Sequence, residues 1–329
     1  MTFRWGVFGH GKISHAFRAA VDVIDDAEVV AVAGRDLGRA SAYAAKNNIG
    51  AAYGSIADLL DAGGIDGVYI CTPHTAHFAP AGPCLDAGIP VLVEKPMTPT
   101  AADTTRLAEQ AASTGVFTME AMWTWFLPIY TTVRSWIDDG RIGEVQQLSA
   151  SFGFRAPFDP EHRLFSPDLA GGGVLDVGVY PIGLAQWLFG AAPETIAATG
   201  TVGRTGVDEH VVMAARYPGG QLAELSCAVR TTMTNQALIR GTEGHIVIPE
   251  FWRSESATLH VGDAEPETVT APHRASGFEY QTEEVMACVA AGQTESPVMP
   301  LRESVRLAET CDEVRRQVGV RYPFETSGP

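Results

Sequence analysis

Short apolar segments alternate with amphipathic segments along the first 120 residues of the chain. The apolar segments have the length of buried strands and fall, in chain order, at 3–8, 28–33, a short stretch ending at Tyr53, 66–71, 89–94 and 116–119. Helical patterns lie between them at 12–23, 37–47, 56–60, 77–87 and 101–114. Continuous apolar strands that alternate with helices indicate a parallel sheet covered on both faces. We therefore predict an α/β fold whose N-terminal domain, residues 1–122, is a doubly wound (Rossmann) sheet.

The pattern changes at residue 123, beyond which the strands read as half-exposed. Strands are predicted at 145–152, 195–202, 209–217, 221–229, 232–239, 245–248 and 256–261, and helices at 128–139, 176–189, 279–291 and 301–318. Turn sequences such as Pro218-Gly219-Gly220 separate several of these strands. Residues 123–329 are thus predicted to form an α+β domain with a largely antiparallel open sheet.

Composition and charge narrow the class of protein. The net charge is −16, and no dense cluster of Lys and Arg is present, which argues against a nucleic-acid partner. No apolar run approaches the ~18 residues of a membrane span. The five cysteines (Cys71, Cys84, Cys227, Cys288 and Cys311) never form a C-x-x-C pair, which is typical of reduced thiols. We expect a cytoplasmic protein without a signal peptide, a membrane contact or a metal site.

The first strand runs into a glycine turn, Gly9-His10-Gly11, and a helix follows from Lys12 and Ile13. The backbone N–H groups of such a turn and the positive end of the helix dipole suit a pyrophosphate. Gly9 permits the sharp turn and Gly11 a close approach to the phosphates, while Ser14 replaces the usual third Gly or Ala. The pattern predicts a dinucleotide site, and the alternative is an ordinary βα turn.

The second strand ends at Gly34-Arg35-Asp36, about 20 residues beyond the glycine turn, where ribose selectivity is decided. Arg35 offers a planar donor for a 2′-phosphate, and Gly34 leaves room for it. Asp36 either reaches a ribose or caps the next helix. We predict NADP as the cofactor, and NAD stays open.

Two further loops follow strand ends, where open α/β sheets bind ligands. Thr72, Pro73 and His77 lie after the fourth strand, and we expect them to cap a helix and wall the nicotinamide side. Glu94-Lys95-Pro96 follows the fifth strand. Lys95 is interpreted either as a surface lysine or as a cation that orients a substrate oxygen.

A glycine run, Gly171-Gly172-Gly173, precedes Asp176 and Tyr180, which share one face if the segment is helical. A carboxylate and a phenol there could address a carbonyl-bearing substrate, and the alternative is a capping Asp and a core Tyr. Candidate walls of the substrate cleft, with core packing as the alternative, are Trp123, Trp125 and Phe126. Candidates that face the substrate, with a solvated loop as the alternative, are Arg155, His162 and Arg163.

Together, G-x-G at the start, E-K-P at 94–96 and G-G-G-x-L-D-x-G-x-Y at 171–180 resemble the glucose–fructose oxidoreductase/inositol dehydrogenase (Gfo/Idh/MocA) family. Tyr180 in place of a histidine is similar to the dimeric dihydrodiol dehydrogenase and glucose–fructose oxidoreductase branch. An arginine often stands there at the position of Trp125.

The resemblance implies roles for these residues. Lys95 would hold the substrate oxygen, Pro96 would shape the loop, often through a cis bond, and Tyr180 would donate or accept the proton. Asp176 would orient the substrate or its partner side chains. A homo-oligomer formed through the C-terminal sheet is also implied.

We therefore expect an NADP-preferring oxidoreductase that acts on a sugar-like or vicinal hydroxy/carbonyl compound. The alternatives are a non-catalytic NADP-binding sensor and a redox-assisted glycosidase that retains its cofactor.

Overall fold

The structure is a computed structural model and describes residues 2–325. The chain divides into two compact units. The first unit comprises the residues up to Trp123 together with His273–Val305, and the second comprises Thr124–Pro272 and the residues from Arg306 onward. The N-terminal segment of the first unit ends at Trp123, one residue beyond the predicted boundary at residue 122. Residues 273–305, however, join the first unit rather than the second.

Strands and helices alternate through the N-terminal part of the first unit. In chain order they are β1 (Phe3–Phe8), α1 (Lys12–Val21), β2 (Ala27–Ala33), α2 (Leu37–Lys46), β3 (Ala51–Tyr53), α3 (Ile56–Ala62), β4 (Gly67–Ile70), α4 (Phe78–Asp86), β5 (Val91–Glu94), α5 (Ala101–Thr114) and β6 (Thr118–Ala121). The six strands form one parallel sheet in the order β3-β2-β1-β4-β5-β6. This arrangement confirms the predicted doubly wound sheet.

Local sequence explains where these helices begin. The side chains of Asp36, Ser55 and Thr100 each accept a hydrogen bond from the backbone N–H three residues later, at the starts of α2, α3 and α5. Inside the sheet, β4 and β5 are buried along their whole length. Strands of this kind need a helix on each face, which is why their apolar residues run continuously instead of alternating.

The remaining elements begin at α6 (Pro128–Asp138). They continue with β7 (Val145–Gly153), α7 (Val179–Phe189), β8 (Thr195–Val202), β9 (Asp208–Arg216), β10 (Leu222–Ala228), β11 (Gln236–Gly241), β12 (Gly244–Pro249), β13 (Ser256–Val261), β14 (Glu267–Thr270), α8 (Glu279–Ala290) and α9 (Leu301–Val318). The eight strands form a second sheet in the order β14-β13-β12-β11-β7-β10-β9-β8. All neighbouring pairs are antiparallel except β7 and β10. The predicted largely antiparallel sheet is confirmed.

Three details of the second unit differ from the prediction. Strand β14 was not predicted, and β11 begins at Gln236 instead of Thr232 because Asn235 has a left-handed backbone with φ of 60°. The helix predicted from Asp176 is preceded by a π-helical turn over Val174–Gly178, and α7 itself begins at Val179. Pro181 has no N–H to donate, so the helical bond back to the Val177 carbonyl is missing where the two segments join.

Candidate functional site

The glycine turn after β1 has the geometry of an anion cradle. Gly9 has φ of +115°, and a Cβ there would lie 2.8 Å from the Cys71 carbonyl group, so that only glycine fits. A Cβ at Gly11 would meet nothing within 4 Å, which shows that this side of the turn is open. Ser14, at the third position of the motif, is buried and donates its hydroxyl hydrogen bond to the Gly11 carbonyl oxygen at 2.6 Å. The serine therefore tightens the turn without blocking it.

The start of α1 fits a bound pyrophosphate. Gly11, Lys12 and Ile13 are exposed there, and no side chain within residues 2–325 caps the helix. An uncapped N-terminus of a ten-residue helix leaves backbone N–H groups and the positive end of the dipole for an anionic ligand. The predicted residues Gly9, Gly11, Lys12 and Ile13 are thus brought together in one accessible turn.

At the end of β2, Asp36 acts as a helix cap, which is one of the two roles considered for it. Its carboxylate Oδ1 accepts a hydrogen bond from the Arg39 N–H at 3.0 Å and so caps α2. Arg35 is exposed, and Gly34 leaves room for the His10 ring, which would lie 3.0 Å from a Cβ at that position. Arg39, exposed in the first turn of α2, is a second cation here that the sequence analysis missed.

His77 ties the loop after β4 to the loop after β5. Its ring is completely buried, with Nδ1 2.9 Å from the Pro96 carbonyl oxygen and Nε2 2.8 Å from that of Thr72. Burial lowers the pKa of His77, and the two carbonyl contacts act in the opposite direction. We conclude that His77 supports the site through the backbone of these two loops. Of its predicted companions, Pro73 is exposed and Thr72 is half-buried.

Two buried carboxylates flank the half-buried Lys95. Glu94 accepts a hydrogen bond from the Tyr69 hydroxyl at 2.6 Å and from the Lys95 N–H at 3.2 Å. Glu120, at the end of β6, accepts one from the Met97 N–H at 2.8 Å. The Lys95–Pro96 peptide bond is cis, as the family resemblance implies. The backbone around Lys95 is therefore held from both sides.

Glu120 was not among the predicted residues. Burial raises its pKa to about 7, although the nearby Ser304 hydroxyl, the Met97 N–H and the charge of Lys95 act to lower it. Among residues 2–325, its second oxygen, Oε2, has no hydrogen-bond partner. A carboxylate inside a strand of the parallel sheet, Thr118-Met119-Glu120-Ala121, is the signal in the sequence that could have revealed it.

In the second unit, Asp176 and Arg163 form an ion pair at 2.7 Å between Arg163 Nη1 and Asp176 Oδ1. Asp176 is buried and Arg163 is about half exposed. Tyr180, also buried, has its ring centroid 5.6 Å from that of Phe152. Arg163, Asp176 and Tyr180 thus stay candidates for substrate contact in this unit.

The aromatic candidates are more buried than cleft walls usually are. Trp123, in the first unit, packs against Phe278 with ring centroids 4.9 Å apart. Trp125, in the second, is also buried, and its Nε1 donor has no acceptor in the described part of the chain. Phe126 is partly exposed. Core packing accounts for Trp123, whereas Trp125 keeps an unused hydrogen-bond donor.

Two further candidates lie in exposed loop positions. Arg155 is exposed and forms an isolated β-bridge with Arg230. His162 is exposed, and its Nδ1 accepts a hydrogen bond from the Leu164 N–H at 3.3 Å, which caps a short 3-10 turn. The alternative of a solvated loop describes both residues in this structure.

Comparison with known proteins agrees with the fold and the motifs. Residues 3–122 match an oxidoreductase family domain described as an NAD-binding Rossmann fold, and residues 130–247 match the GFO/IDH/MocA C-terminal domain. The chain therefore belongs to the Gfo/Idh/MocA family of oxidoreductases, and it is an NAD(P)-dependent dehydrogenase.

Its relatives include the trans-1,2-dihydrobenzene-1,2-diol dehydrogenases. The chain is 36% identical to the protein from Mus musculus, with 98% of this chain and 99% of the relative covered, and 35% identical to that from Homo sapiens, with 98% and 99% covered. Among solved structures it is similar to KijD10, a 3-ketoreductase from Actinomadura kijaniata in complex with NADP, at 27% identity, a TM-score of 0.86 and coverage of 97% and 98%.

Within residues 2–325, no helix combines the length and the hydropathy that a membrane span requires.

Proposed function

We propose that this dehydrogenase prefers NADP and acts on a sugar-like or other vicinal hydroxy/carbonyl compound, with Tyr180 as proton donor or acceptor and Lys95 assisting. The observation that carries the proposal is Lys95, a half-buried ammonium on a loop that His77, Glu94 and Glu120 hold by its backbone. A cation on so constrained a loop suits the binding of one substrate oxygen in a fixed position.

The relatives support the substrate class. The dehydrogenases that share about a third of this sequence are named for a vicinal diol, and the similar 3-ketoreductase was solved with NADP. Oxidation of a vicinal diol removes a proton from one hydroxyl oxygen, and reduction of an α-hydroxyketone adds a proton to the carbonyl oxygen. In both reactions the proton is transferred at one of two adjacent oxygens of the substrate.

Each residue has one task in the reaction we propose. The Gly9–Ile13 turn holds the pyrophosphate of the cofactor, and Arg35 with Arg39 binds the 2′-phosphate. When bound, the nicotinamide accepts or supplies the hydride. In the oxidation, Tyr180 in its phenolate form takes the hydroxyl proton of the substrate as the carbonyl forms, and in the reduction the phenol returns it. Lys95 stabilises the negative charge on that oxygen, and the Asp176–Arg163 pair orients the substrate.

The first experiment measures the reduction of α-dicarbonyls and aldoses with NADPH and with NADH, and the oxidation of the corresponding diols with NADP⁺ and with NAD⁺. We expect Tyr180→Phe, which keeps the ring against Phe152, to lower kcat by about 10²- to 10⁴-fold with little change in the Kd of NADPH. Lys95→Ala should lower kcat similarly, and Lys46→Ala, at the exposed end of α2, is the control. Full activity of Tyr180→Phe would refute the proton-transfer role.

The cofactor preference has its own test. Removing a charged hydrogen bond costs about 1.5–3 kcal/mol, so Arg35→Ala should weaken NADPH binding by about 10- to 100-fold and leave NADH binding unchanged. Arg106→Ala, an exposed arginine on α5, is the matched control. Equal losses for the two cofactors would contradict the assignment. Binding of NADPH without turnover on any compound would favour the sensor, and retention of cofactor through purification would favour the glycosidase.

Association through the second sheet stays a prediction. Val212 and Leu222 project from the face of the sheet opposite the buried side chains of β9 and β10, with exposed fractions of 45% and 52%. We propose that a second copy of the chain covers this face. Sedimentation should show a dimer that Val212→Glu dissociates, and a monomeric wild-type chain would refute it.

A further inference from the structure

A buried carboxylate, Asp208, lies at the start of β9 against the glycine run. The side chain is inaccessible to solvent, and its Oδ2 accepts a hydrogen bond from the Val174 N–H at 2.7 Å. Its other oxygen, Oδ1, has no hydrogen-bond partner among residues 2–325. A carboxylate that is buried with one oxygen unsatisfied is costly, so it calls for a specific reason.

The glycine run is shaped around this carboxylate. A Cβ at Gly172 would lie within van der Waals overlap of Asp208 Oδ1, and a Cβ at Gly173 would lie 3.1 Å from Oδ2. Gly172 also has φ of +117°, which side chains rarely adopt. The glycines therefore make room for the Asp208 side chain.

Other contacts fix the same segment from further sides. The Tyr322 hydroxyl donates a hydrogen bond to the Gly171 carbonyl oxygen at 2.6 Å. The Gly172 N–H donates one to the Leu164 carbonyl oxygen at 2.9 Å. Val174 then begins the π-helical turn, and Asp176 and Tyr180 follow two and six residues later. The position of Val174 thus sets where the helical segment starts, and with it the positions of Asp176 and Tyr180.

We propose that Asp208 is a positioning residue, which holds the Val174 amide and thereby places Asp176 and Tyr180 for the reaction. The inference rests on the proposed function, because it assigns to Asp208 the support of the proton-transferring residue. Asp208 itself is completely buried and touches the backbone of this segment, so it acts through Asp176 and Tyr180.

The charge state of Asp208 makes the proposal testable by pH. The groups around it are its own amide and those of Gly173 and Val174, Arg315 on α9, the Tyr322 phenol and the Cys227 thiol on β10. The Cys311 thiol on α9 faces Cys227 and Tyr322. Burial raises the pKa of Asp208 to about 6, while the amides and Arg315 act to lower it. Above that pH the bond from Val174 ends on a carboxylate and is charge-assisted, and below it the acceptor is a neutral carboxyl.

The test compares the wild-type enzyme with Asp208→Asn, Asp208→Ala and the control Glu209→Gln, which alters the neighbouring carboxylate. Because a misplacement of about 1 Å can cost about 10²-fold in rate, we expect Asp208→Ala to lower kcat by about that factor with an unchanged KM for NADPH. The ratio of wild-type kcat to that of Asp208→Asn should rise about tenfold from pH 5 to pH 8, because only the wild type gains the charged acceptor. Glu209→Gln should give a ratio that does not change with pH.

Hydrogen exchange of the peptide spanning 172–178 gives a readout that is independent of activity. In Asp208→Ala, the amides of this peptide should lose protection from exchange. If that variant does not fold, Asp208→Asn provides the test through the pH dependence of its kcat ratio and through its exchange above pH 7. A flat ratio and unchanged protection would overturn the proposal. If the wild-type chain has no turnover, the proposed function fails separately, and exchange alone decides whether Asp208 holds the segment.

Discussion

Glu120 should make the stability of the protein depend on pH in a way that one substitution removes. The carboxyl group is 2% exposed, and burial raises its pKa from 4.5 to about 7. Glu120→Gln keeps an oxygen that can accept the Met97 N–H but cannot ionise. The variant therefore isolates the free energy of ionising this carboxyl inside the fold.

The sign and size follow from the shift. A carboxyl whose pKa is raised by folding binds its proton more tightly in the folded state. Its contribution to stability is fully present below pH 4.5 and is lost as the pH rises through about 7. A rise of the pKa from 4.5 to about 7 corresponds to about 3 kcal/mol. Relative to the wild type, Glu120→Gln should thus gain about 3 kcal/mol of unfolding free energy between pH 4.5 and pH 8.

The assay is urea unfolding, followed by tryptophan fluorescence at intervals of one pH unit from 4.5 to 8, for wild type and variant together. Because all other titrating groups are shared, the difference between the two curves reports Glu120 alone. Glu109→Gln, an exposed carboxyl on α5, is the control, and its difference should stay level. A Glu120→Gln difference that stays level or falls with pH would refute the argument that this carboxyl is ionised at a cost.

Three further changes test other parts of the structure. Gly9→Ala forces a Cβ against the Cys71 carbonyl at φ of +115° and should lower both the Tm and the affinity for NADPH, and an unchanged Kd would contradict the cradle. Tyr322→Phe leaves the Gly171 carbonyl without its donor and should cost about 1–3 kcal/mol in urea unfolding, whereas a neutral effect would mean that this bond is dispensable. Gln317→Ala frees the Ala198 N–H and the Ile196 carbonyl on edge strand β8, so that light scattering should show increased association, unless another group covers the edge.

The sequence predicts elements well where the determining contacts are local. Helices α5 and α9 have the bounds that their sequence pattern predicts, and Ser55, directly before α3, caps that helix. Each of these features depends on residues within one or two turns of each other. The parallel sheet follows as well, because strands that are apolar on both sides have few other ways to be covered.

Features set by distant contacts were not predicted. The apolar spacing of helix α8 does not indicate that the helix belongs to the first unit. The contact is distant in sequence: Ser276, just before the helix, donates a hydrogen bond to the Ala16 carbonyl oxygen, 260 residues away. The π-helical turn at Val174 likewise depends on groups that pack against it, such as Cys227, whose Sγ would lie 2.9 Å from a Cβ at Gly178. A local sequence pattern does not indicate which side chains of a distant strand pack against a segment.

The difference between local and distant contacts also separates the motif residues from the residues that support the motif backbone. E-K-P and the glycine run with Asp176 and Tyr180 are recognisable because their members lie close in sequence. The carboxylates that bind their backbones come from 23 and 34 residues further on, Glu120 to the Met97 amide and Asp208 to the Val174 amide. Glu120 reaches its place because β6 pairs with β5 in a register that sets it opposite Val93. A slip of one residue would turn its side chain to the other face of the sheet. Strand register therefore decides that Glu120 supports the E-K-P segment, whereas Asp208 reaches the glycine run from the start of β9. Both contacts join distant parts of the chain, and this is why neither carboxylate could be found from spacing alone.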